Sequence, residues 1–225
     1  MSRPRAIWAI AAALTLTACS GTVPTSPDSS THPNGSAKTS PSSAAKPKAG
    51  PLKTIKDPKV DLTDADGNKV GRHPDIDIVS LAAQAVGDQL YVDLQVAGDV
   101  PKTYSTTKAE VDYLVVVEAD GSGKGDYWLK LTNNKPGTWV PELSDWVTTS
   151  AYEGADFPGV GKVSKTHVTF RVKLSSLGLA KHLRLSAITQ RINHATGEVT
   201  AQDQAPAGEL YVPTNKWLTM DLPSG

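Results

Sequence analysis

The chain has 225 residues, of which 23 are basic and 23 acidic, so its formal net charge at neutral pH is zero. This balance leaves no basic surplus for nucleic acid or for an electrostatic attraction to membranes. The single cysteine excludes an intrachain disulfide and any zinc site built from paired cysteines. Because the basic and acidic residues balance, we expect no nucleic-acid partner.

The first segment has the pattern of a secretory signal peptide. Arg3 and Arg5 supply positive charge, and residues 6–18 carry no charge and are mostly apolar. An apolar run of about 13 residues is too short to cross a hydrocarbon core, which needs roughly 20. Residues 1–18 are therefore predicted to direct export and not to span the membrane.

The end of this segment, Leu16-Thr17-Ala18-Cys19, resembles the lipobox of bacterial lipoproteins. The resemblance implies that Cys19 receives diacylglycerol and becomes the N-terminus after cleavage. It also implies that the protein is anchored in the cell membrane on the extracytoplasmic face. The alternative is an ordinary secreted protein with one spare thiol, although an unpaired cysteine in an exported protein needs its own explanation.

Residues 19–51 are predicted to form the lipidated cysteine and a linker. From position 20 to 51, 21 of 32 residues are Ser, Thr, Pro or Gly, and none is Phe, Tyr or Trp. Such a segment cannot bury enough apolar surface to offset the entropy lost on ordering. We predict a disordered tether, with a root-mean-square span of about 30 Å if it behaves as a flexible coil.

Residues 52–225 are long enough for one domain of ordinary size. Their dominant hydrophobic period is two, which is typical of half-buried strands, and no long helical stripe is present. The predicted strands are 76–86 with a change of phase near Val79, 89–96, 113–119, 126–132, 167–174 and 183–190. Turn sequences rich in Gly, Asn and Asp separate them. The pattern predicts an all-β fold, a single antiparallel β-sandwich.

Several short motifs follow one another along this domain. They are Asp57-Pro58, Pro74-Asp75-Ile76-Asp77-Ile78, Gly87-Asp88-Gln89-Leu90-Tyr91-Val92, Val172-Lys173-Leu174-Ser175-Ser176-Leu177-Gly178 and Asp203-Gln204-Ala205-Pro206. In this order they resemble the DOMON-like superfamily, which includes the family 9 carbohydrate-binding modules. The resemblance covers most of residues 52–213. It implies a β-sandwich that binds a sugar, a haem or a partner, often with a structural calcium ion.

An acidic stretch early in the domain holds six oxygen-bearing side chains within 17 positions. They are Asp61, Asp64, Asp66, Asn68, Asp75 and Asp77. Calcium takes six to eight oxygen ligands, so these residues are candidate calcium ligands. An EF-hand is excluded because Lys69 stands where its turn needs Gly and no helices flank the loop. The alternative is a solvated turn before a strand, with Asp75 and Asp77 pointing outwards.

A second candidate site is aromatic. Six aromatic residues lie within 31 positions: Tyr127, Trp128, Trp139, Trp146, Tyr152 and Phe157. Sugar-binding modules stack pyranose rings on exposed aromatic side chains. The candidate ligand-binding residues are Trp128, Trp139, Trp146 and Tyr152, and Trp139 and Trp146 are preferred because they lie in loop-like sequence. The alternative is that Trp128 and Trp139 fill the core.

The sequence contains no nucleophile elbow, no HExxH motif and no phosphate-binding loop of the required length and order. We therefore predict a protein that is not an enzyme. The favoured function is a lipid-anchored binding module for a carbohydrate or a related extracellular ligand. A structural or accessory lipoprotein that binds another envelope protein is the alternative. A haem-binding redox domain ranks last, because it needs axial ligands such as Met and His and the mature chain has only Met220.

Overall fold

The computed structural model describes residues 47–58, 60–101, 109–119, 126–135, 138–145, 151–153, 161–178, 180–207 and 216–222. All of them belong to one compact unit, Ala45–Gly225. The predicted signal peptide, Cys19, most of the predicted linker and Trp146 lie outside the described residues.

Regular structure in the described part of the chain consists of strands and one short 3₁₀ turn, Leu174–Leu177. The strands are β1 (Lys53–Lys56), β2 (Ile78–Val86), β3 (Gln89–Val96), β4 (Ala109–Glu118), β5 (Tyr127–Lys135), β6 (Thr138–Asp145), β7 (Ala151–Glu153), β8 (Lys162–Ser164), β9 (His167–Lys173), β10 (His182–Asn193), β11 (Val199–Ala205) and β12 (Leu218–Asp221). Within the described ranges, no helix has the length and hydrophobicity needed to cross a bilayer.

The strands form two antiparallel sheets. Sheet A has the order β1-β2-β3-β9-β8, and sheet B has the order β11-β10-β4-β5-β6-β7, with β12 also paired to β10. The chain visits the sheets alternately, with β1 to β3 in A, β4 to β7 in B, β8 and β9 in A, and β10 to β12 in B. The prediction of an all-β antiparallel sandwich is confirmed.

The core between the sheets is built from side chains that alternate along the strands. In β3, Leu90, Val92, Leu94 and Val96 are buried, whereas Tyr91 between them is exposed. Sheet B contributes the inward side chains of β4 and β10, which are Val111, Tyr113, Val115, Val117, Leu183, Leu185 and Ala187. Each large apolar side chain buried in this way contributes about 1.5–3 kcal/mol to folding.

Strand prediction succeeded where the alternation is clean. The bounds of β3 are those predicted, and β9 ends one residue earlier than predicted. The predicted change of phase near Val79 is confirmed, because the pairing of β2 with β3 shifts register between Ile78 and Ser80. The sequence pattern did not predict β1, β6, β7, β8, β11 or β12. These strands are short or polar, so their hydrophobic alternation is weak.

Strand pairing begins before the predicted domain start at residue 52. Ala49 forms a β-bridge with Val86, and the backbone amide of Gly50 donates to the Ala85 carbonyl at 2.7 Å. These two residues therefore belong to the folded domain. An alanine and a glycine give no hydrophobic alternation, so the sequence composition placed these two residues in the predicted linker.

The residues that lead into β2 are held by side chains from sheet B. We call residues 75–78 the β2 entry segment. The Tyr113 hydroxyl of β4 donates to the Asp75 carbonyl at 2.7 Å, and the Thr189 hydroxyl of β10 donates to the Ile76 carbonyl. Because backbone polar groups in a core need partners, these bonds determine where the segment can lie.

A third bond to the β2 entry segment comes from β11. Oδ2 of Asp203 accepts a hydrogen bond from the Ile78 amide at 2.6 Å, and its Oδ1 accepts from the Gln204 amide at 2.8 Å. Asp203 is only 5 % exposed. Since β2 belongs to sheet A and β11 to sheet B, this aspartate joins the two sheets.

We expect Tyr113→Phe to lower the free energy of unfolding by about 1–3 kcal/mol, because it removes the hydroxyl that donates to the Asp75 carbonyl and keeps the ring in place. Urea unfolding followed by circular dichroism measures the change. The matched control is Tyr91→Phe, since the Tyr91 side chain is 41 % exposed on the outer face of sheet A. It should change stability by less than about 0.5 kcal/mol. Equal, small effects in both variants would contradict a structural role for the Tyr113 hydroxyl.

Candidate metal centre and aromatic residues

Three aspartates from separate parts of the chain meet next to the β2 entry segment. Asp57 follows β1, Asp61 precedes buried Leu62, and Asp203 lies in β11. One carboxylate oxygen from each lies within 4.8 Å of the others, and we call these residues the aspartate triad. Two ionised carboxylates at that separation repel by about 3.5 kcal/mol at an effective dielectric constant of about 20. Three together need protons or a cation to compensate their charge.

The electrostatics of the triad reflect burial and mutual repulsion. The pKa of Asp57 is raised to about 8, first by burial and then by the charges of Asp203, Asp61 and Asp77. The pKa of Asp203 is raised to about 7, mainly by burial, although the hydrogen bond from the Ile78 amide lowers it. Burial also raises the pKa of Asp61. Without a cation, the triad therefore retains protons close to neutral pH.

Two oxygen atoms of the triad, Oδ2 of Asp57 and Oδ1 of Asp61, are buried and have no hydrogen-bond partner among the described residues. Asp57 is only 8 % exposed, and the amide of Ala207 donates to its carboxylate. A buried carboxylate oxygen without a donor is costly, and a bound cation is one way to compensate it. The donor set consists of carboxylate oxygens, which hard cations such as calcium and magnesium prefer. The triad thus fits a calcium ion.

Asp77 positions the short turn between the first two members of the triad. Its carboxylate oxygens accept hydrogen bonds from the Val60 amide at 3.2 and 3.1 Å. Val60 has a φ of 67°, which is a rare conformation for a β-branched residue. The bond to Asp77 stabilises this conformation, and the turn brings Asp57 and Asp61 together.

An open cleft of about 400 Å³ adjoins the triad. Its walls include Asp61, Thr63, Asp66, Gln202, Asp203 and Gln204. Two triad members therefore also line the cleft. The cleft gives an ion or a small polar ligand a route to the buried carboxylates.

The structure places three of the six predicted calcium ligands in a hairpin turn. The turn lies between Leu62 and Val70, whose backbones are hydrogen-bonded. Oδ1 of Asp64 accepts from the amides of Asp66 and Asn68, both at 2.9 Å, and Nδ2 of Asn68 donates to Oδ2 of Asp64 at 3.0 Å. The Asn68 side chain lowers the pKa of Asp64. These bonds favour the alternative interpretation, a solvated turn.

The other three predicted ligands do not form one group with the turn, although the charge of Asp77 acts on Asp61. Nη1 of Arg191 contacts Oδ2 of Asp75 at 3.5 Å. Asp77 is only 4 % exposed, which contradicts the part of the alternative interpretation in which it points outwards, because its carboxylate turns inward to the Val60 amide. Of the six predicted residues, only Asp61 belongs to the triad, and the charge of Asp77 raises the pKa of Asp61.

Trp139 lies on the inner face of sheet B. Its ring centroid is 5.4 Å from that of Tyr113, and its Nε1 donates to the Pro101 carbonyl at 3.2 Å. The side chain packs against the core, which favours the core alternative for this residue. Trp146 and the side chain of Tyr152 lie outside the described residues.

Trp128 lies on the opposite, outer face of sheet B. It packs against a second apolar cluster formed by Leu114, Val116, Ile188 and Trp217. The Trp128 side chain is half-buried there. Trp128 is therefore not part of the core between the sheets, and it remains a candidate ligand-binding residue.

Charged groups adjoin Trp128 on the same face. Nζ of Lys130, two residues further along β5, lies 2.9 Å from Oδ2 of Asp112 and 3.8 Å from Oε1 of Glu110. Burial raises the pKa of Asp112 despite the nearby lysine. Burial alone would lower the pKa of Lys130, but attraction to Asp112 outweighs it and raises the pKa. The outer face of sheet B thus carries a half-buried aromatic ring beside charged groups that are mostly buried and are paired with one another.

Met220 lies in β12 and is 2 % exposed within the core. His167 and His182 contact Asp93 and Asp221 at 3.0 and 2.7 Å. The core position of the methionine disfavours it as an axial haem ligand, because a haem would need access to its sulfur.

Sequence reasoning missed Asp57 and Asp203 as possible metal ligands because they lie far apart along the chain. Both belong to motifs that carry the DOMON-like resemblance. A further sign was available in β11, where Asp203 occupies the same face as Ala201 and Ala205, which are both buried. An acidic residue at an inward position of a strand requires a specific partner.

In EDTA, we expect the stability of the protein to fall as the pH rises from about 5 to about 9. Aspartates in an unfolded chain titrate near pH 4, whereas the folded-state pKa values of Asp57 and Asp203 are about 8 and about 7. Between these limits the folded state binds more protons than the unfolded state, so raising the pH favours unfolding.

Urea midpoints measured at intervals across this pH range test the expectation. Asp57→Asn should show a shallower pH dependence, because the amide does not titrate. A wild-type midpoint that stays constant or rises between pH 5 and pH 9 would contradict the prediction.

Comparisons of the chain with protein-family models, with curated proteins and with solved structures gave no match. The similarity to the DOMON-like superfamily therefore remains a hypothesis based on short motifs.

Proposed function

We propose that this chain is a lipid-anchored binding module on the extracytoplasmic face of the cell membrane. In this proposal it binds a carbohydrate or a related extracellular ligand and does not catalyse a reaction. The observation that carries the proposal is the position of Trp128 on the outer face of sheet B, beside charged side chains. An aromatic ring stacks on the apolar face of a sugar, and neighbouring polar groups hydrogen-bond to its hydroxyls.

The register of sheet B supports this arrangement. Lys130 of β5 pairs with Leu114 on one side and with Glu142 of β6 on the other, and Trp128 precedes Lys130 by two positions. Residues two apart on a strand share a face and are about 7 Å apart, and neighbouring strands are about 4.8 Å apart. By this spacing, the strand positions of Trp128, Lys130 and Glu142 lie within the length of one or two sugar units.

Membrane anchoring in this proposal rests on the sequence. Leu16-Thr17-Ala18-Cys19 follows a short apolar segment, and a linker rich in Ser, Thr and Pro comes next. Two or more acyl chains on Cys19 would give firm anchoring, since a single chain binds membranes only weakly.

We expect wild-type cells fed an alkyne-labelled fatty acid to incorporate the label into this protein. Cys19→Ala should abolish the labelling because the thiol is the acceptor. The matched control, Ser20→Ala, should keep it. Labelling that persists in Cys19→Ala, or that is absent from the wild type, would contradict lipidation at this residue.

We expect the melting temperature of the full-length protein, purified in detergent, to rise with one class among a panel of cell-wall and plant oligosaccharides. A ligand at a hundred times its dissociation constant stabilises the folded state by about 2.7 kcal/mol, a rise of about 5–10 °C for a protein of this size. Trp128→Ala should abolish the rise because the stacking surface is lost. Tyr91→Ala, which removes an exposed aromatic ring from the other sheet, should keep it.

The alternative proposal, an accessory lipoprotein that binds another envelope protein, predicts a different result. No oligosaccharide would then change the melting temperature, and chemical cross-linking in isolated membranes would give a stoichiometric protein partner. That combination would contradict the carbohydrate proposal.

A further inference from the structure

We infer that Asp57, Asp61 and Asp203 form a binding site for a hard divalent cation, and that calcium is the ion it suits best. This inference is independent of the proposed carbohydrate surface, because the triad lies between β1, β2 and β11 and does not involve Trp128. It also differs from the calcium loop predicted from the sequence, with which it shares only Asp61.

The carboxylates of Asp57 and Asp203 are buried. Asp57 is 8 % exposed and Asp203 is 5 % exposed, although both carry acidic groups. Acidic residues are almost never buried to this extent unless they are paired or bind a metal. No salt bridge to Asp57, Asp61 or Asp203 is found among the described residues, where the charges that act on Asp57 are those of other aspartates and the charge of Lys69 acts on Asp61.

The unpaired oxygens are the second argument. Oδ2 of Asp57 and Oδ1 of Asp61 have no hydrogen-bond donor in the described part of the chain, and both belong to side chains of the triad, in which one carboxylate oxygen of each residue lies within 4.8 Å of the others. Asp203 has one donor at each oxygen, the amides of Ile78 and Gln204, and a carboxylate oxygen can accept more than one partner. Both oxygens that lack a partner therefore belong to side chains of the triad.

The type of ligand selects the class of ion. Carboxylate oxygens suit calcium, magnesium and manganese, whereas sites for zinc and copper use histidine or cysteine. Magnesium requires near-ideal octahedral geometry, while calcium accepts irregular sets of six to eight oxygens. The triad carboxylates come from two loop positions and one strand, and the adjoining cleft leaves room for water ligands. An irregular and partly hydrated set of this kind favours calcium.

Binding at this site would connect distant parts of the chain. Asp57 lies at the end of β1, and Asp203 lies in β11 at the edge of the other sheet. An ion held by both would oppose separation of the sheets at this edge. The melting temperature therefore reports whether the ion is bound, and this measurement does not depend on finding a carbohydrate ligand.

The test uses the full-length protein in detergent, stripped with EDTA and then dialysed. Calcium is titrated by isothermal calorimetry, and melting temperatures are measured with calcium, with magnesium and with EDTA. We expect one calcium site, a rise of about 5–10 °C at a hundred times the dissociation constant, and a smaller effect of magnesium at the same concentration.

The deciding variants are Asp61→Asn and Asp66→Asn. Asp61→Asn should weaken calcium binding at least about tenfold, because it removes a ligand charge and leaves the backbone bonds of the turn in place. Asp66→Asn, in the exposed hairpin turn next to the same cleft, should bind calcium like the wild type. Asp57→Asn serves as a second triad variant. If Asp57→Asn does not fold, the result for Asp61→Asn decides the test.

Two results would overturn the inference. The first is the absence of a calorimetric signal and of a calcium-dependent melting shift in the wild type, which would leave protons as the compensation for the triad. The second is calcium binding that survives in Asp61→Asn and is lost in Asp66→Asn, which would place the ion in the hairpin turn.

Discussion

The two sheets are held in one relative position by hydrogen bonds to the backbone of the β2 entry segment. Tyr113, Thr189 and Asp203 come from the adjacent strands β4, β10 and β11, and each bonds a different backbone group of this segment. Hydrophobic burial drives the sheets together but is not directional. A buried backbone group that loses its partner costs about 1–3 kcal/mol, so a shift of one sheet against the other would be penalised at three points.

The same segment explains why an acidic cluster is located where it is. Asp203 bonds the Ile78 amide and also belongs to the triad, while Asp77 within the segment holds the turn that carries Asp57 and Asp61. Sheet packing and the charge state of the triad are therefore linked through shared residues.

The sequence was most informative where one physical pattern determines structure locally. Alternating side chains predicted β3 and β9, and an interruption of the alternation predicted the irregularity at Val79. The fold class follows from these strands, since period-two segments joined by turns pack as antiparallel sheets. Polar strands such as β11 were not predicted because their burial comes from tertiary neighbours.

The candidate sites were harder to predict because they depend on register and on long-range proximity. Trp128 and Trp139 lie on adjacent strands but face opposite sides of sheet B, and a shift of one residue in either strand would move its tryptophan to the other face. Asp57 and Asp203 are brought together only by the packing of the sheets. The six clustered residues of the predicted calcium loop, five aspartates and Asn68, were close along the chain but are not brought to one point, because the hairpin turn uses three of them for its own hydrogen bonds.

The outermost strand β1 of sheet A affects whether two copies of this protein can pair edge to edge. Among the described strands, β1 has a neighbour on one side only, and it is four residues long with a lysine at each end, Lys53 and Lys56. An open strand edge is a template for pairing with another chain, and short edges that carry lysines resist such pairing by charge repulsion. The β1 edge therefore disfavours extension of sheet A from one molecule to the next through this strand.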